Sequence, residues 1–405
     1  MINPSFRIRA FSSLVVATTC LYAAFPAACA SRQAVSSPKT PDKVQIGEGA
    51  TPITTLPGLP SGAREPQVAL DDSGSVYIGF GADDALYCSV SRDGGKTYDS
   101  PVKVAAAGKL SLGMRRGPRI AVAGKTVVLS AIYSQQGKGS DGELLAWRSA
   151  DGGKTWQGPA RVSDVPGAAR EGLHGMAASP DGKSIACTWL DLRGKGTEIY
   201  LSSSRDGGAT WSKNSRVYTS PDGTVCECCH PSLAFGPKGE LVVMWRNWLG
   251  GARDMFLARS ADNGKTFGPA QKLGAGTWPL NACPMDGGAI AIAPNGKITT
   301  VWRRDAEMFV CELGGVEKLL GRGQQGWAAA TTQGVYAVWL SGRPGRLMAL
   351  LPGETAARPL AMRANDPVVA SAASGKGPVI VTWSEGAQTD SSIRSAVLTP
   401  PSLSP

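Results

Sequence analysis

The sequence predicts an all-β fold, a propeller built of four-stranded antiparallel blades, from three observations. One short phrase recurs four times at intervals of 55 to 58 residues, and an apolar segment ending in a small or aromatic residue recurs seven times. The 51 glycines suit many short strands and turns, and no long helical periodicity is present. Repeats of this period are typical of small sheets arranged radially around one axis.

The first repeat has the form Ser-x-Asp-x-Gly-x-Thr-aromatic. Each copy lies between two apolar segments, which predicts a hairpin turn between two strands. The aspartate accepts hydrogen bonds from turn amides, and glycine takes positive φ angles. The copies are Ser91–Tyr98, Ser149–Trp156, Ser204–Trp211 and Ser260–Phe267. We therefore predict structural roles for the four aspartates, which are Asp93, Asp151, Asp206 and Asp262.

The second repeat predicts the second strand of each blade. Its members are Ser75–Phe80, Thr126–Ala131, Ser184–Trp189, Leu241–Trp245, Ile298–Trp302, Val335–Trp339 and Val379–Trp383. Seven segments predict seven blades. Val44–Ile46 is expected to complete the last blade beside Ser392–Leu398, because closure by the N-terminus removes an exposed sheet edge.

The N-terminus predicts an exported protein. In residues 1–30, Arg7 and Arg9 precede an apolar run and a small-residue cleavage site, the pattern of a secretory signal. Cys29 also fits a lipoprotein signal, and a lipid would then anchor the chain to a membrane. Residues 31–43 are expected to be a flexible tether, and residues 44–400 one propeller domain. The predicted location is the periplasm or, as a lipoprotein, the outer membrane, with secretion as an alternative.

The formal charge of +10 becomes +8 without Arg7 and Arg9 (10 − 2), which favours an acidic partner. We predict a monomer with no nucleic-acid partner. Strand alternation places one group of polar residues on the face opposite the repeated turns. Those after second strands are Asp83, Asp84, Arg246, Arg303 and Arg304, and those leading into inner strands are Arg64, Arg116, His174, His230 and Asp286. Their recurrence in register predicts a ligand site, and solvated loop tips are the alternative.

The repeated phrase resembles the Asp-box of the sialidase (neuraminidase) superfamily, in which these turns are structural. Sialidases have six blades, so a six-bladed propeller is the alternative to seven. The resemblance places Arg64, in Arg64-Glu65-Pro66, with Arg246 and Arg303 at positions of family arginines that grip a carboxylate. It also places Asp84, or Asp83, where the family keeps its acid/base aspartate.

The nucleophile that the resemblance requires is not matched. Sialidases attack with a tyrosine paired to a glutamate. Glu227 is near the glutamate position, but the register favours His230, and Tyr336 falls inside a second strand. We therefore predict recognition of an acidic, carboxylated glycan or an envelope protein, and leave hydrolysis open. An exo-α-sialidase-like hydrolase is the alternative.

The cysteines predict a disulfide. Cys226, Cys228 and Cys229 precede His230, and Cys283 lies at the matching position one blade later. In an oxidising compartment, Cys283 is expected to pair with one of the triplet. A copper or zinc site with His230 and His174, giving a metal-binding or redox protein, is one alternative, and haem attachment at Cys226-x-x-Cys229-His230 is another. No other cofactor is predicted.

Overall fold

The alternating apolar segments form antiparallel strands in a computed structural model, which describes residues 52–136, 139–387 and 389–400. The predicted signal (1–30) and tether (31–43) lie outside the described residues. No helix in the described part of the chain is long and apolar enough to cross a membrane. The all-β class and the four-stranded antiparallel sheets are confirmed.

The strands begin and end as follows. The N-terminal ones are β1 (Ile53–Thr55), β2 (Arg64–Leu70), β3 (Val76–Ala82), β4 (Ala85–Ser91), β5 (Val102–Ala105), β6 (Lys109–Leu110), β7 (Arg119–Ala123), β8 (Thr126–Ser134), β9 (Gly142–Ser149) and β10 (Gln157–Arg161). The central ones are β11 (Ala169–Ala178), β12 (Ile185–Asp191), β13 (Glu198–Ser204), β14 (Ser215–Tyr218), β15 (Ser232–Phe235), β16 (Leu241–Arg246), β17 (Met255–Ser260) and β18 (Gln271–Lys272). The C-terminal ones are β19 (Gly288–Ile292), β20 (Ile298–Arg304), β21 (Glu307–Glu312), β22 (Lys318–Arg322), β23 (Gln324–Thr331), β24 (Gly334–Leu340), β25 (Gly345–Leu350), β26 (Arg358–Ala370), β27 (Val379–Ala387) and β28 (Asp390–Leu398).

These strands pair, within the described residues, as seven four-stranded sets that we call blades. The first five blades are β2–β5, β7–β10, β11–β14, β15–β18 and β19–β22. The long strand β26 serves two blades, because its first half pairs with β25 and its second half with β27. Neighbouring inner strands are in contact in the order β2, β7, β11, β15, β19, β23, β26 and back to β2. This pairing supports the predicted number of seven.

The closing strand comes from the N-terminal side, but from a different segment than predicted. β1 pairs with β28, with Ile53 opposite Ala396 and Thr55 opposite Arg394. The edge of β28 that we assigned to Val44–Ile46 is therefore taken by Ile53–Thr55. Val44–Ile46 itself lies outside the described residues.

The core lies between blades, where large side chains of the second strands are buried. Trp189, Trp245, Trp339 and Trp383 are all less than 2 % exposed. Each lies in the second strand of its blade, where the repeated tryptophan packs in a core cluster with residues of neighbouring strands. Full burial of a side chain of this size contributes about 2–3 kcal/mol or more to stability.

The four repeated turns share one hydrogen-bond pattern, as in Ser149–Trp156. Asp151 Oδ1 accepts hydrogen bonds from the Ser149 hydroxyl (2.7 Å) and the Thr155 amide (3.0 Å), and the Gly153 amide donates to Ser149 Oγ (2.8 Å). Gly153 has a φ of +87°, which favours glycine. The other copies repeat the bond from threonine to aspartate at 2.9 Å. All four join two strands of one blade, as predicted, and these are the third and fourth strands.

Candidate functional site

The upper face of the ring, as we call it, is formed by the residues leading into the inner strands and by the loops after the second strands. The backbone takes a left-handed φ of 50° to 56° at four positions, Glu65, Met285, Gln325 and Asp366. Met285 precedes β19, and the other three lie within β2, β23 and β26, beside the segment that lines the ring. Strand register shifts beside three of them. Such kinks interrupt strand pairing, so the polar groups there need other partners.

Hydrogen bonds link these kinks across the fifth to seventh blades. The Gln325 amide donates to Asp286 Oδ2 (2.8 Å). Gln325 Nε2 donates to Asp366 Oδ1 (3.1 Å), and the Asp366 amide donates back to Gln325 Oε1 (3.2 Å). All three side chains are buried. Burial raises the pKa of Asp286, although the Gln325 amide and nearby arginines act in the opposite direction.

Arg115 crosses the centre of the ring. Its guanidinium donates to the carbonyl oxygens of Pro367 (2.8 Å) and Gln325, and its Cζ lies 4.9 Å from the centre of the Trp327 ring. The side chain is 1 % exposed. An arginine that precedes the second blade therefore joins it to the sixth and seventh blades.

A cavity of about 230 Å³ runs along the inner strands. Most of its lining is small and apolar, including Ala328, Ala329 and Ala330 of β23. Trp327, over which Arg115 lies, is also part of the lining. Through Trp327 the cavity therefore adjoins the polar groups of the upper face.

Glu65 is a second central acid whose pKa is raised by burial. Burial raises the pKa of Glu65 well above its ordinary value, and Asp366 adds to this, whereas Arg115 and Arg119 oppose it. The Arg115 amide donates to Glu65 Oε1 (3.2 Å). Arg119 donates to the carbonyl oxygens of Pro118 (2.7 Å) and Arg115 (2.8 Å), and burial lowers its pKa to about 10. Glu65, Arg115 and Arg119 thus form a buried cluster of charged groups whose hydrogen bonds are made within the protein.

Two of the predicted ligand arginines are used inside the protein. Arg246 is 1 % exposed and donates to the carbonyl oxygens of Asp286 (3.0 Å), Arg253 (2.7 Å) and Arg303 (2.8 Å). Arg304 makes a two-pronged ion pair with Glu317 at 2.9 and 2.6 Å. Both guanidinium groups are committed to these partners, so the structure corrects the expectation that they face a ligand.

The other arginines predicted on the upper face differ in how far their guanidinium groups are free to bind a ligand. Arg116 pairs with Glu171, and Arg64 lies partly buried at the start of β2. Arg303 is partly exposed and makes a long contact of 3.5 Å with Gln324 Oε1, besides a bond to the Asp305 carbonyl. Of these, Arg303 is the best placed to bind a ligand.

The predicted acid/base aspartate has the wrong electrostatics for a general acid. Asp84 Oδ2 accepts a hydrogen bond from Lys109 Nζ (2.8 Å) and Oδ1 accepts one from the Leu110 amide (3.1 Å). The Lys109 bond is the main reason that the pKa of Asp84 is lowered. A general acid requires the opposite shift. Asp83 is exposed in the same turn, with a φ of +49°.

Tyr336 and Glu227, the residues nearest to the tyrosine and glutamate positions of sialidases, do not lie together in the structure. Tyr336 is buried in β24, and its hydroxyl donates to Gln333 Oε1 (3.0 Å) in the turn on the opposite face. Glu227 lies on the upper face and pairs with Arg170 (3.4 Å). These two side chains therefore belong to opposite faces of the ring, as the departures from the sialidase pattern indicate.

Neither histidine bonds to the cysteines. His174 Nε2 is 2.9 Å from the Ser130 hydroxyl and its Nδ1 is 3.3 Å from the Gly172 carbonyl. Burial lowers the pKa of His174 to about 3. His230 is also buried and stacks on Trp327 with 5.7 Å between ring centres. The alternative of a metal site that joins both histidines to the thiols is therefore not assembled in the described residues, where only the three cysteines form such a group.

The thiols themselves do come together. The Sγ atoms of Cys226, Cys228 and Cys229 all lie within 4.8 Å of one another, and all three residues are buried. The described cysteines are free thiols, so the predicted disulfide is not formed in the structure. The pairing we expected corresponds to a contact, since a side-chain hydrogen bond with Cys283 helps raise the pKa of Cys228. The main cause of that shift is its bond with Cys226.

Four residues of the polar centre are absent from the predictions above. They are Glu65, Arg115, Gln325 and Asp366. Three of them are followed directly by proline or glycine, in Glu65-Pro66, Gln325-Gly326 and Asp366-Pro367. His230-Pro231 and Asp286-Gly287 share this pattern. A polar residue followed by proline or glycine before each inner strand is thus a signal that could have located the centre.

Comparisons with known proteins agree with this architecture. The BNR repeat-like domain family matches residues 81–302, more than half of the chain. An α-L-arabinofuranosidase from Fusarium graminearum is 13 % identical, with 86 % of this chain and 98 % of that chain covered and a TM-score of 0.53. Virginiamycin B lyase from Staphylococcus aureus is 11 % identical, with 86 % and 99 % covered and a TM-score of 0.52. A Hadza microbial sialidase is 15 % identical, with 83 % and 66 % covered and a TM-score of 0.48.

Comparison with curated proteins gave no significant match. The structural similarities are at low identity and show a common fold alone. The match of the repeat family, together with the four Asp-box turns, confirms the resemblance to the sialidase superfamily that the sequence indicates. The chain belongs to the BNR repeat-like domain family of sialidase-like β-propellers.

Proposed function

We propose that this protein is an exported propeller that binds a carboxylated glycan on its upper face without hydrolysing it. The binding groups are Arg303, at the end of β20, and Arg343, after β24 on the next blade. Guanidinium groups on adjacent blades suit a carboxylate, because each can donate parallel N–H bonds to its two oxygens.

The observation that carries this proposal is that the outer guanidinium nitrogens of these two arginines make long contacts, unlike those of their buried neighbours. Arg303 Nε is held by the Asp305 carbonyl, which orients the guanidinium group. Arg343 makes an ion pair of 3.8 Å with Asp366 Oδ1, and its side chain is 28 % exposed. Arg303 reaches Gln324 at 3.5 Å, a distance at which a hydrogen bond is weak. A ligand carboxylate could replace these long contacts by shorter ones, whereas Arg246 would first have to break three good bonds.

The same region supports binding better than hydrolysis. A sialidase-like reaction needs a nucleophile and a proton donor at the sugar. Asp84 is held ionised by Lys109, and Tyr336 lies toward the opposite face. Buried Glu65 and Asp286 have raised pKa values, but hydrogen bonds from the Arg115 and Gln325 amides tie them into the protein interior.

A glycan array followed by calorimetry tests the proposal. We expect preference for carboxylated over neutral sugars, weakened by salt because the contact is between charges. Arg303→Ala and Arg343→Ala should each weaken binding about 10- to 100-fold, the effect of losing a hydrogen bond to a charged group. Arg205→Ala, in an exposed turn on the opposite face, is the matched control and should bind normally.

Two results would contradict the proposal. Equal binding of neutral and carboxylated sugars would remove the case for a carboxylate site. Turnover of a fluorogenic sialoside that is lost in Asp84→Asn would instead establish the hydrolase alternative.

A further inference from the structure

We propose that Cys226, Cys228 and Cys229 form a buried binding site for one copper(I) ion, with Cys283 as the thiol through which the ion enters. This site is separate from the proposed carboxylate site and does not depend on it. It uses soft sulfur donors, whereas the glycan would be bound by guanidinium groups.

The backbone brings the three thiols together before the fourth blade begins. The Cys226 amide donates to the Arg246 carbonyl (3.1 Å), which fixes the segment against the end of β16. The chain then turns through residues 227–229 before entering β15 at Ser232. Because of this turn, the side chains of a short segment converge on one point instead of alternating between two faces as in a strand.

The spacing of the sulfur atoms suits a shared metal ion. Cys226 Sγ lies 3.7 Å from Cys228 Sγ and 3.2 Å from Cys229 Sγ. Two sulfurs bound at about 2.3 Å to one tetrahedral ion are about 3.8 Å apart. A disulfide requires about 2.05 Å. Small shifts of the Cys229 side chain would therefore complete metal coordination.

The surroundings can neutralise the charge of bound thiolates. Arg253 Nη1 donates to Cys226 Sγ (3.0 Å), and Arg253 is itself held by stacking on Trp248 at 4.1 Å. The buried guanidinium of Arg246 also acts electrostatically on Cys226. Three thiolates and one Cu⁺ carry a charge of −2, which two arginines balance. The thiol protons leave to solvent when the ion binds.

The donor set favours copper(I) over harder ions. The apolar residue packed against the three cysteines is Met285, so a thioether is the next available donor. Thiolates bind copper(I) and zinc alike. Zinc sites in proteins complete their four ligands with thiolate, imidazole or carboxylate, so a site of three thiolates with a thioether beside it favours copper(I). Among the described residues, the donor atoms that lie within 4.8 Å of one another here are the three sulfurs alone. The His230 ring stacks on Trp327, and Glu227 pairs with Arg170.

Cys283 provides a path by which the copper ion can reach the three buried thiols. It is exposed, while its side chain bonds to that of Cys228. An ion captured at the surface by Cys283 can therefore pass to Cys228 by exchange of one thiolate for another. A metal site needs such a path as well as its ligands.

Anaerobic titration of the reduced full chain with copper(I), in competition with a chromophoric chelator, tests the proposal. We expect one tightly bound ion that zinc(II) does not displace. X-ray absorption of the loaded wild-type protein should show sulfur neighbours alone, a result that requires no variant to fold. Cys226→Ser should weaken binding on the order of 100-fold or more, because even loss of a second-shell partner costs about 10- to 100-fold.

Two further variants test the outer shell of the site and provide a control. Arg253→Ala should weaken copper binding about 10- to 100-fold as an outer-shell change. Cys311→Ser, at a thiol that donates to the backbone carbonyls of Glu312 and Gly315, is the matched control and should leave binding unchanged. The proposal is overturned by a stoichiometry well below one, by nitrogen or oxygen neighbours, by zinc binding that exceeds copper binding, or by equal loss in the Cys311→Ser control.

Discussion

The variant Arg246→Met tests whether Arg246 stabilises the fold or binds a ligand. The substitution keeps an unbranched side chain, shorter than that of arginine, but removes every donor from a site that is 1 % exposed. Three carbonyl oxygens, those of Asp286, Arg253 and Arg303, then lose their donor. We expect a large decrease in the free energy of unfolding. Ligand binding should decrease only by the fraction of the variant that is unfolded.

The magnitude follows from the burial of these carbonyls. A buried acceptor left without a partner costs roughly 1–3 kcal/mol. The Asp286 carbonyl is fully buried, whereas the bonds to Arg253 and Arg303 are only partly buried, so water can replace part of them. We therefore expect a decrease of about 3–5 kcal/mol in the free energy of unfolding, a large effect for one substitution.

Equilibrium unfolding in urea measures this change, with Arg303→Met as the matched control. Arg303 is partly exposed, so its loss should change the free energy of unfolding by less than about 1 kcal/mol. If Arg246→Met leaves stability within 1 kcal/mol of wild type but abolishes glycan binding, Arg246 is a ligand residue and the reasoning is refuted.

Two further predictions concern the turns and the ring closure. Burial opposes ionisation of Asp206, but hydrogen bonds from Thr210 and Ser204 outweigh it and lower its pKa to about 2. Since this is below the unfolded value of about 3.9, the turn stabilises the fold above about pH 4 and loses this contribution as the pH falls toward 2. The difference in melting temperature between wild type and Asp206→Ala should thus shrink from pH 7 to pH 2, and a constant difference would count against the assignment. A chain starting at Leu56 lacks β1 and should unfold at lower urea and self-associate through the exposed edge of β28, whereas a chain starting at Gly49 should not. Equal behaviour of the two chains in urea and in ultracentrifugation would show that β1 does not close the ring.

The sequence alone determined the features whose physical causes are local. Each repeated turn satisfies its hydrogen bonds within eight residues, so Asp151 and its three counterparts could be assigned without knowledge of the rest of the chain. The same holds for the strands that contain Trp245 and Trp383, whose alternation and length specify the element. An all-β propeller follows from their spacing.

Ring closure was only partly predictable. That the N-terminal side supplies a strand follows from the incomplete last blade. Which segment does so depends on pairing between residues about 340 positions apart, such as Ile53 with Ala396. Short apolar segments such as Val44–Ile46 and Ile53–Thr55 are equivalent candidates in sequence, and only the tertiary register distinguishes them.

The roles of the polar residues on the upper face were decided by tertiary structure. Arg246 and Arg303 both end a second strand, yet one is surrounded by carbonyl oxygens and the other reaches solvent. His230 follows the cysteines directly, yet its ring turns to Trp327 of another blade while the thiols turn together. A side chain's role depends on the groups that distant strands place around it, and neighbours in sequence do not specify them.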